Sequence, residues 1–175
     1  MHRLLLLRHA KAERLQPGGR DHDRVLTERG RADALALGAY LVRHAFLPDR
    51  VVASPSARTR ETWDQVAAAF EDAPQATFEP RIYEATPQAI LAVIKETGPE
   101  VGTLLLIGHN PGLQELAVSL IAAGDVDTRQ RLKEDFPTTA LAAVNFAVED
   151  WSRLHRQAGR LEHFVTPASL KSRSD

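Results

Sequence analysis

The sequence predicts a single-domain, three-layer α/β/α sandwich, a mostly parallel sheet with helices on both faces. Three observations carry that prediction. Strand-like and helix-like stretches alternate along the chain, the pattern of a doubly wound sheet. The runs Leu4-Leu5-Leu6-Leu7 and Thr103-Leu104-Leu105-Leu106-Ile107 are continuously apolar, as parallel strands covered on both faces are. The reactive residues Arg8 and His9, Arg58, Glu84 and His109 fall just past the carboxyl ends of different strands. That is the edge where open α/β sheets bind ligands, so one shared site is expected there.

The elements follow in order. Leu4–Leu7 forms the first strand and ends abruptly in Arg8-His9-Ala10. A polar loop, residues 11–26, is rich in Gly, Asp and Arg and holds Asp21-His22-Asp23-Arg24-Val25-Leu26-Thr27. Thr27 caps a helix whose apolar positions are Ala34/Leu35, Gly38, Leu41/Val42 and Ala45, closed by Pro48. Arg50–Ala53 is a short strand, followed by Ser54-Pro55-Ser56-Ala57-Arg58 and a helix to Phe70 with Trp63, Val66, Ala67 and Phe70 on one face. Thr77–Tyr83 is the third strand and ends in Glu84-Ala85; Thr86 caps and Pro87 starts a helix with Ile90, Val93 and Ile94 inward. Thr103–Ile107 runs into Gly108-His109-Asn110-Pro111-Gly112 and a helix through Ala123. Residues 128–135 read as a charged helix, Thr139–Val148 as a strand, and Arg160–Val165 as a last edge strand. The domain is expected to span residues 1–165, with 166–175 as a polar, loose tail.

At 175 residues the chain can bury one proper core, and 43% hydrophobic with 26% charged residues is ordinary for a soluble globular protein. A formal net charge of −1 gives no reason to expect nucleic acid or an anionic membrane as partner, so any anion site is local. The absence of cysteine excludes disulfides, thiolate nucleophiles and Cys-ligated zinc or iron–sulfur centres. Leu4–Leu7 is too short for a signal-peptide core or a membrane span, which makes the expected location cytoplasmic.

Two arginines, two histidines and a carboxylate at one sheet edge point to phosphate. Converging guanidiniums repel unless an anion with several oxygens lies between them, and arginine forks fit phosphate bidentately. Phosphoryl transfer asks a protein mainly for positioning and charge stabilisation. A neutral imidazole, His9, attacks phosphorus and carries it as phosphohistidine, while a carboxylic acid protonates the leaving group. Each residue also has a plainer reading. His9 and His109 occur where a histidine caps or packs, Arg58 where an arginine makes a surface ion pair, and Glu84 in a loop that needs no special reason. Arg60 and Glu61 read as surface ion-pairing residues on a solvated face. Asp21, His22 and Asp23 lack a further ligand at metal-binding spacing, so neither a metal nor another cofactor is expected. His2, His44, His155 and His163 read as structural or exposed.

Arg8-His9-Ala10 resembles the Arg-His-Gly/Ala signature of the histidine phosphatase superfamily. Ser54-Pro55-x-x-Arg58-x-x-x-Thr62, then Glu84, then Gly108-His109-Asn110-Pro111 follow in the family's order, and the resemblance spans residues 1 to about 148. Asp21-x-x-Arg24-x-Leu26-Thr27 and Phe136-Pro137-Thr138-Thr139-Ala140 resemble its small SixA-type branch, with Val25 where that branch usually has proline. The resemblance implies a phosphoglycerate mutase-like fold and a phosphorylated His9. It further implies a phosphate pocket of Arg8, Arg58 and His109, taking phosphate or sulfate. Glu84 stands at the family's proton-donor position, with Asp21 or Asp23 as substitutes. Arg24 and Asn110 are further candidate substrate contacts. Glu84 is followed almost at once by Thr86-Pro87, which leaves no room for the long lid of the family's mutases. The implied site is open and suits a phosphohistidine on a protein surface. Hydrolysis of small phosphoesters, and a non-catalytic phosphate or phosphoprotein binder on the same fold, are the alternatives.

Overall fold

Strand β1 (His2–Arg8) buries Leu4, Leu5, Leu6 and Leu7 completely, and the rest of the sheet assembles on it. In the computed structural model, which describes residues 1–173, β4 (Thr103–Gly108) pairs with β1 in parallel, Leu5 opposite Leu105. β6 (Leu141–Phe146) lies antiparallel on its other side. With β2 (Arg50–Ala53), β3 (Ala76–Phe78), β5 (Ile121–Gly124) and β7 (Gly159–Val165), the seven-stranded sheet has the order β3-β2-β4-β1-β6-β7-β5.

Period-two alternation splits the apolar strands between two cores. Leu5, Leu7, Leu105 and Ile107 pack under α1 (Glu28–Arg43) and α2 (Ala57–Ala67). Leu4, Leu6, Leu104 and Leu106 pack under α3 (Pro87–Lys95), α4 (Gly112–Leu120) and α5 (Val126–Glu134). Fully burying one such side chain stabilises by roughly 1.5–3 kcal/mol. A strand apolar on both faces is thereby fixed at the centre of three layers.

The chain leaves β1 toward one edge of the sheet and leaves β4 toward the other, so a crevice opens between their carboxyl ends. Caps start the helices near it: Thr27 Oγ1 accepts from Gly30 N, Ser56 Oγ from Thr59 N, and Thr86 Oγ1 from Ala89 N. Two glycines let these elements close on the crevice. A Cβ on Gly30 would lie 2.1 Å from the Lys11 carbonyl, and one on Gly112 would lie 2.1 Å from the Ala85 carbonyl.

Several elements differ from the sequence-based expectation. The strand expected over Thr77–Tyr83 ends at Phe78 and gives way to a 3₁₀ turn, Pro80–Ile82. Its partner β2 is only four residues long, and Pro80 has no N–H to continue a ladder. The helix expected through Ala123 stops at Leu120, because Ile121–Gly124 pairs with β7. β5 therefore covers β7, which is not an edge strand. In α1, Leu35 and Val42 are exposed while Leu37 and Tyr40 are buried, the inward stripe being Ala34, Leu37, Gly38 and Leu41. That helix ends at Arg43, ahead of Pro48, where Ala45 turns with a φ of 57°. The second helix ends at Ala67 rather than Phe70. The expected loose tail is helix α6 (Pro167–Arg173), with Leu170 buried in the α1 core; residues 174 and 175 lie outside the described residues. Among the described residues no helix is long and apolar enough to cross a membrane.

Candidate active site

His9 follows the last residue of β1 and is 8% exposed. Its Nδ1 lies 2.7 Å from the carbonyl oxygen of Ala10. A carbonyl only accepts, so Nδ1 carries the proton and donates, and Nε2 is left with its lone pair. Ala10 is itself held by Thr62 Oγ1, which accepts from Ala10 N at 2.9 Å and donates to the Arg58 carbonyl at 2.6 Å. The threonine four residues after Arg58 thus ties the start of α2 to the backbone that orients His9.

Arg58 sits in the first turn of α2 and is 3% exposed. Its Nη1 donates to the Asp21 carbonyl at 2.9 Å and its Nη2 to Asp21 Oδ2 at 3.0 Å. Nη2 also lies 3.4 Å from His109 Nδ1. A guanidinium cannot accept, so His109 Nδ1 is the acceptor and Nε2–H donates to Ser54 Oγ at 2.7 Å. The His9 and His109 rings come to 5.3 Å between centroids, which closes the floor across the β1–β4 crevice. Arg8 donates through Nη1 to the Phe136 carbonyl at 3.1 Å. The Nε atoms of both Arg8 and Arg58 are buried without a hydrogen-bond partner. Two guanidinium N–H groups buried unpaired are costly, and both side chains line one cup.

These side chains line a cup of about 310 Å³ that also includes Lys11, Asp21, Arg24, Glu84, Asn110 and Thr138. Asp21 is bound by the Tyr83 hydroxyl, by Arg24 Nη1 at 2.9 Å and by Arg58. The Tyr83 hydrogen bond first, then the two arginines, hold its carboxyl well below the usual carboxylate range. These donors favour the ionised form of Asp21. Asp23 is 65% exposed and stays near Arg20 and His22, outside the cup. Glu84 stands exposed on the rim with a φ of 50°, and it makes no hydrogen bond or ion pair among the described residues. Arg24 also donates through Nε to the Glu13 carbonyl at 2.8 Å. The Asn110 amide, on the cup wall, also braces the protein. Its Nδ2 donates to the Phe136 carbonyl at 2.9 Å and its Oδ1 accepts from Gln114 N at 3.2 Å, bracing α4 against the wall.

Burial, then repulsion from Arg58, Arg8 and Arg24, lowers the His9 pKa to about 4 against the opposing Ala10 bond. Burial, then His9 and Arg58, lowers that of His109 to about 3. Both imidazoles are neutral at pH 7, and His9 presents a free nitrogen base on a cationic floor.

The sequence reading gave no role to Ser54, Thr62 or Tyr83. Ser54 and Thr62 stand in the same spaced motif as Arg58, and Tyr83 directly precedes Glu84, which is the signal available for them. Arg60 is exposed and covers the Phe78 ring at 3.7 Å, and Glu61, half-buried, accepts from Leu26 N at 3.1 Å.

Residues 4–87 match the family model of the histidine phosphatase superfamily, branch 1. The SixA protein of Agrobacterium tumefaciens is 30% identical, superposes with a TM-score of 0.80, and the match covers 95% of this chain and 98% of that one. The chain belongs to the histidine phosphatase superfamily. A SixA protein from Nakamurella multipartitia is 27% identical at a TM-score of 0.83, over 95% and 96% of the two chains. An uncharacterized protein of Mycobacterium tuberculosis is 34% identical over 163 residues, 92% of this chain and 99% of its own. These likenesses put this histidine phosphatase in the SixA-type branch, with the phosphoglycerate mutase-like fold.

In this phosphatase the bond between Thr62 and Ala10 is a support for His9 that can be tested. Thr62→Val leaves the buried Ala10 N–H unpaired, at a cost of about 1–3 kcal/mol. A lower melting temperature and a reduced kcat are expected, with Thr62→Ser restoring both.

Proposed function

We propose that the chain hydrolyses phosphohistidine on proteins in two steps through a phosphorylated His9. The observation that carries this reading is the His9 tautomer, with Nδ1 tied to the Ala10 carbonyl and Nε2 free in a cup lined by Arg8 and Arg58. In the first step Nε2 forms a bond to phosphorus as the bond to the leaving nitrogen breaks, and the departing imidazole keeps the electron pair and takes a proton. In the second, water attacks phosphorus, the His9 N–P bond breaks, and orthophosphate leaves. Arg8 and Arg58 hold the non-bridging oxygens throughout. His109 stays neutral and supports them, its Nδ1 accepting from Arg58 Nη2 and its Nε2–H donating to Ser54 Oγ.

Glu84 is the carboxyl group on the rim that no cation ties down, and we assign it the proton transfer. An imidazole leaving group needs less help than an alkoxide, so Glu84→Gln should slow alkyl phosphate hydrolysis at least about tenfold more than phosphohistidine hydrolysis. Equal loss on both, read as kcat/KM, removes the role.

Two further supports are the openness of the cup and the likeness to SixA proteins, whose name is that of a phosphohistidine phosphatase. The test is to quench the enzyme during turnover of a ³²P-phosphohistidine protein and search for a base-stable, acid-labile label on His9. Turnover without any such label overturns the two-step route. The same protein compared with small phosphoesters by kcat/KM tests the substrate class.

The pH profile follows from the charge state of His9. Attack requires the neutral ring, so kcat/KM should hold level as pH falls from 7 to about 5, then drop about tenfold per unit below about 4. Stability has the same sign. The folded state resists protonating His9 and His109, so stability present above about pH 6.5 is lost as pH falls from there toward 4 and then 3. Chemical denaturation across that range checks it; stability constant from pH 7 to 4 contradicts it.

A further inference from the structure

Beside the cup lies a larger groove of about 650 Å³, and Lys11 and Thr138 line both. One wall is the start of α1, with Arg29 and Asp33; another is the end of α5, with Arg131, Glu134 and Asp135. The far wall is the turn from β7 into α6, so the segment expected to be a loose tail builds part of it. Phe164, Pro137, Pro167 and Ala168 supply apolar surface between the charged walls.

We propose that this groove holds the polypeptide flanking the phosphohistidine of a protein substrate, a proposal that rests on the function proposed above. The first reason is continuity. A phosphoryl group seated at His9 puts its carrier at the mouth of the cup, and Lys11 and Thr138 form the boundary over which that carrier passes. The second is chemistry. Lys11, Arg29 and Arg131 are balanced by Asp33, Glu134 and Asp135, so the groove offers no net attraction to a nucleic acid or an anionic lipid. Alternating charges over apolar patches suit a chain that itself carries both charges and apolar side chains. Arg29 and Asp33 pair at 3.9 Å, while Lys11 and Asp135 make no ion pair within 4 Å among the described residues. The third is size. The cup accommodates a phosphoryl group and one ring, and a free small phosphoester would leave the larger volume next to it unused.

The test separates the carrier from the chemistry. Ala168→Trp fills the groove from an exposed position, and Arg131→Glu reverses an exposed charge on another element. Neither residue lines the cup. Each variant is compared with the wild type on a protein phosphorylated at histidine by phosphoramidate and on free phosphohistidine. The expected result is a loss of kcat/KM of about tenfold or more on the protein, carried by KM, with free phosphohistidine within about twofold. Equal rates for variants and wild type on the protein overturn the groove, as does wild-type hydrolysis of free phosphohistidine without hydrolysis of the protein. Failure of the wild type on both phosphohistidine forms, with turnover of phosphoesters, overturns the proposed function and the groove together.

Discussion

Replacing His9 by alanine is expected to reduce turnover by at least about 10⁴-fold on every substrate, because it removes the atom that bonds to phosphorus. Stability should change little. The ring is tied by one hydrogen bond to its own neighbour, and Ala10 keeps its bond to Thr62. Phosphate affinity should fall far less than turnover, since the guanidinium donors of Arg8 and Arg58 remain. The measurement pairs kcat on the phosphohistidine protein with a thermal melt and a phosphate titration. Retained turnover would move the nucleophile elsewhere. Lost turnover with lost folding would make His9 a structural residue.

Arg58→Ala should slow turnover by about 10²–10³-fold, the usual loss on removing one preorganised donor to a developing oxyanion. The change reaches further than one donor. Arg58 also fixes Asp21 by two hydrogen bonds, lies over the Tyr83 ring at 5.8 Å, and touches His109. Without it, Asp21 keeps only Tyr83 and Arg24, and its less compensated charge faces an incoming phosphoryl dianion. Arg58→Lys should restore only part of the rate, because an ammonium supplies the charge without the planar fork. Wild-type rates in Arg58→Ala would mean that phosphate is bound elsewhere. A steeper loss of phosphate affinity in Arg58→Ala than in Arg58→Ala/Asp21→Asn would show the exposed carboxylate repelling the ligand.

Much of this molecule can be read from the order of residues, for reasons that are local. Leu4–Leu7 and Thr103–Ile107 are apolar at every position, which only a strand buried on both faces tolerates, so the centre of the sheet is written in composition. Arg8 closes β1, His9 and His109 directly follow β1 and β4, and Arg58 opens the helix after β2, so most of the cup is legible from spacing, while Glu84 reaches it through a 3₁₀ turn beyond β3. What local pattern leaves open is any feature that depends on a distant partner. Ile121–Gly124 continues a helical run in sequence and becomes a strand because β7 offers its edge. Residues 167–173 look polar and coreless, and form a helix because Leu170 finds the α1 core.

The chain by itself therefore determined the layer architecture and the gathering of His9 with its cationic neighbours at one sheet edge, since these rest on apolar periodicity and on chemistry placed near strand ends. Tertiary structure alone decided that Nε2 is the free nitrogen of His9, that donors gather on Asp21 and favour its ionised form, and that a groove runs on from the cup. The last two depend on residues far apart in sequence, Tyr83 on Asp21 and the start of α6 lining one groove with the end of α5, and the first on a backbone that Thr62 holds in place, which no spacing along a chain specifies.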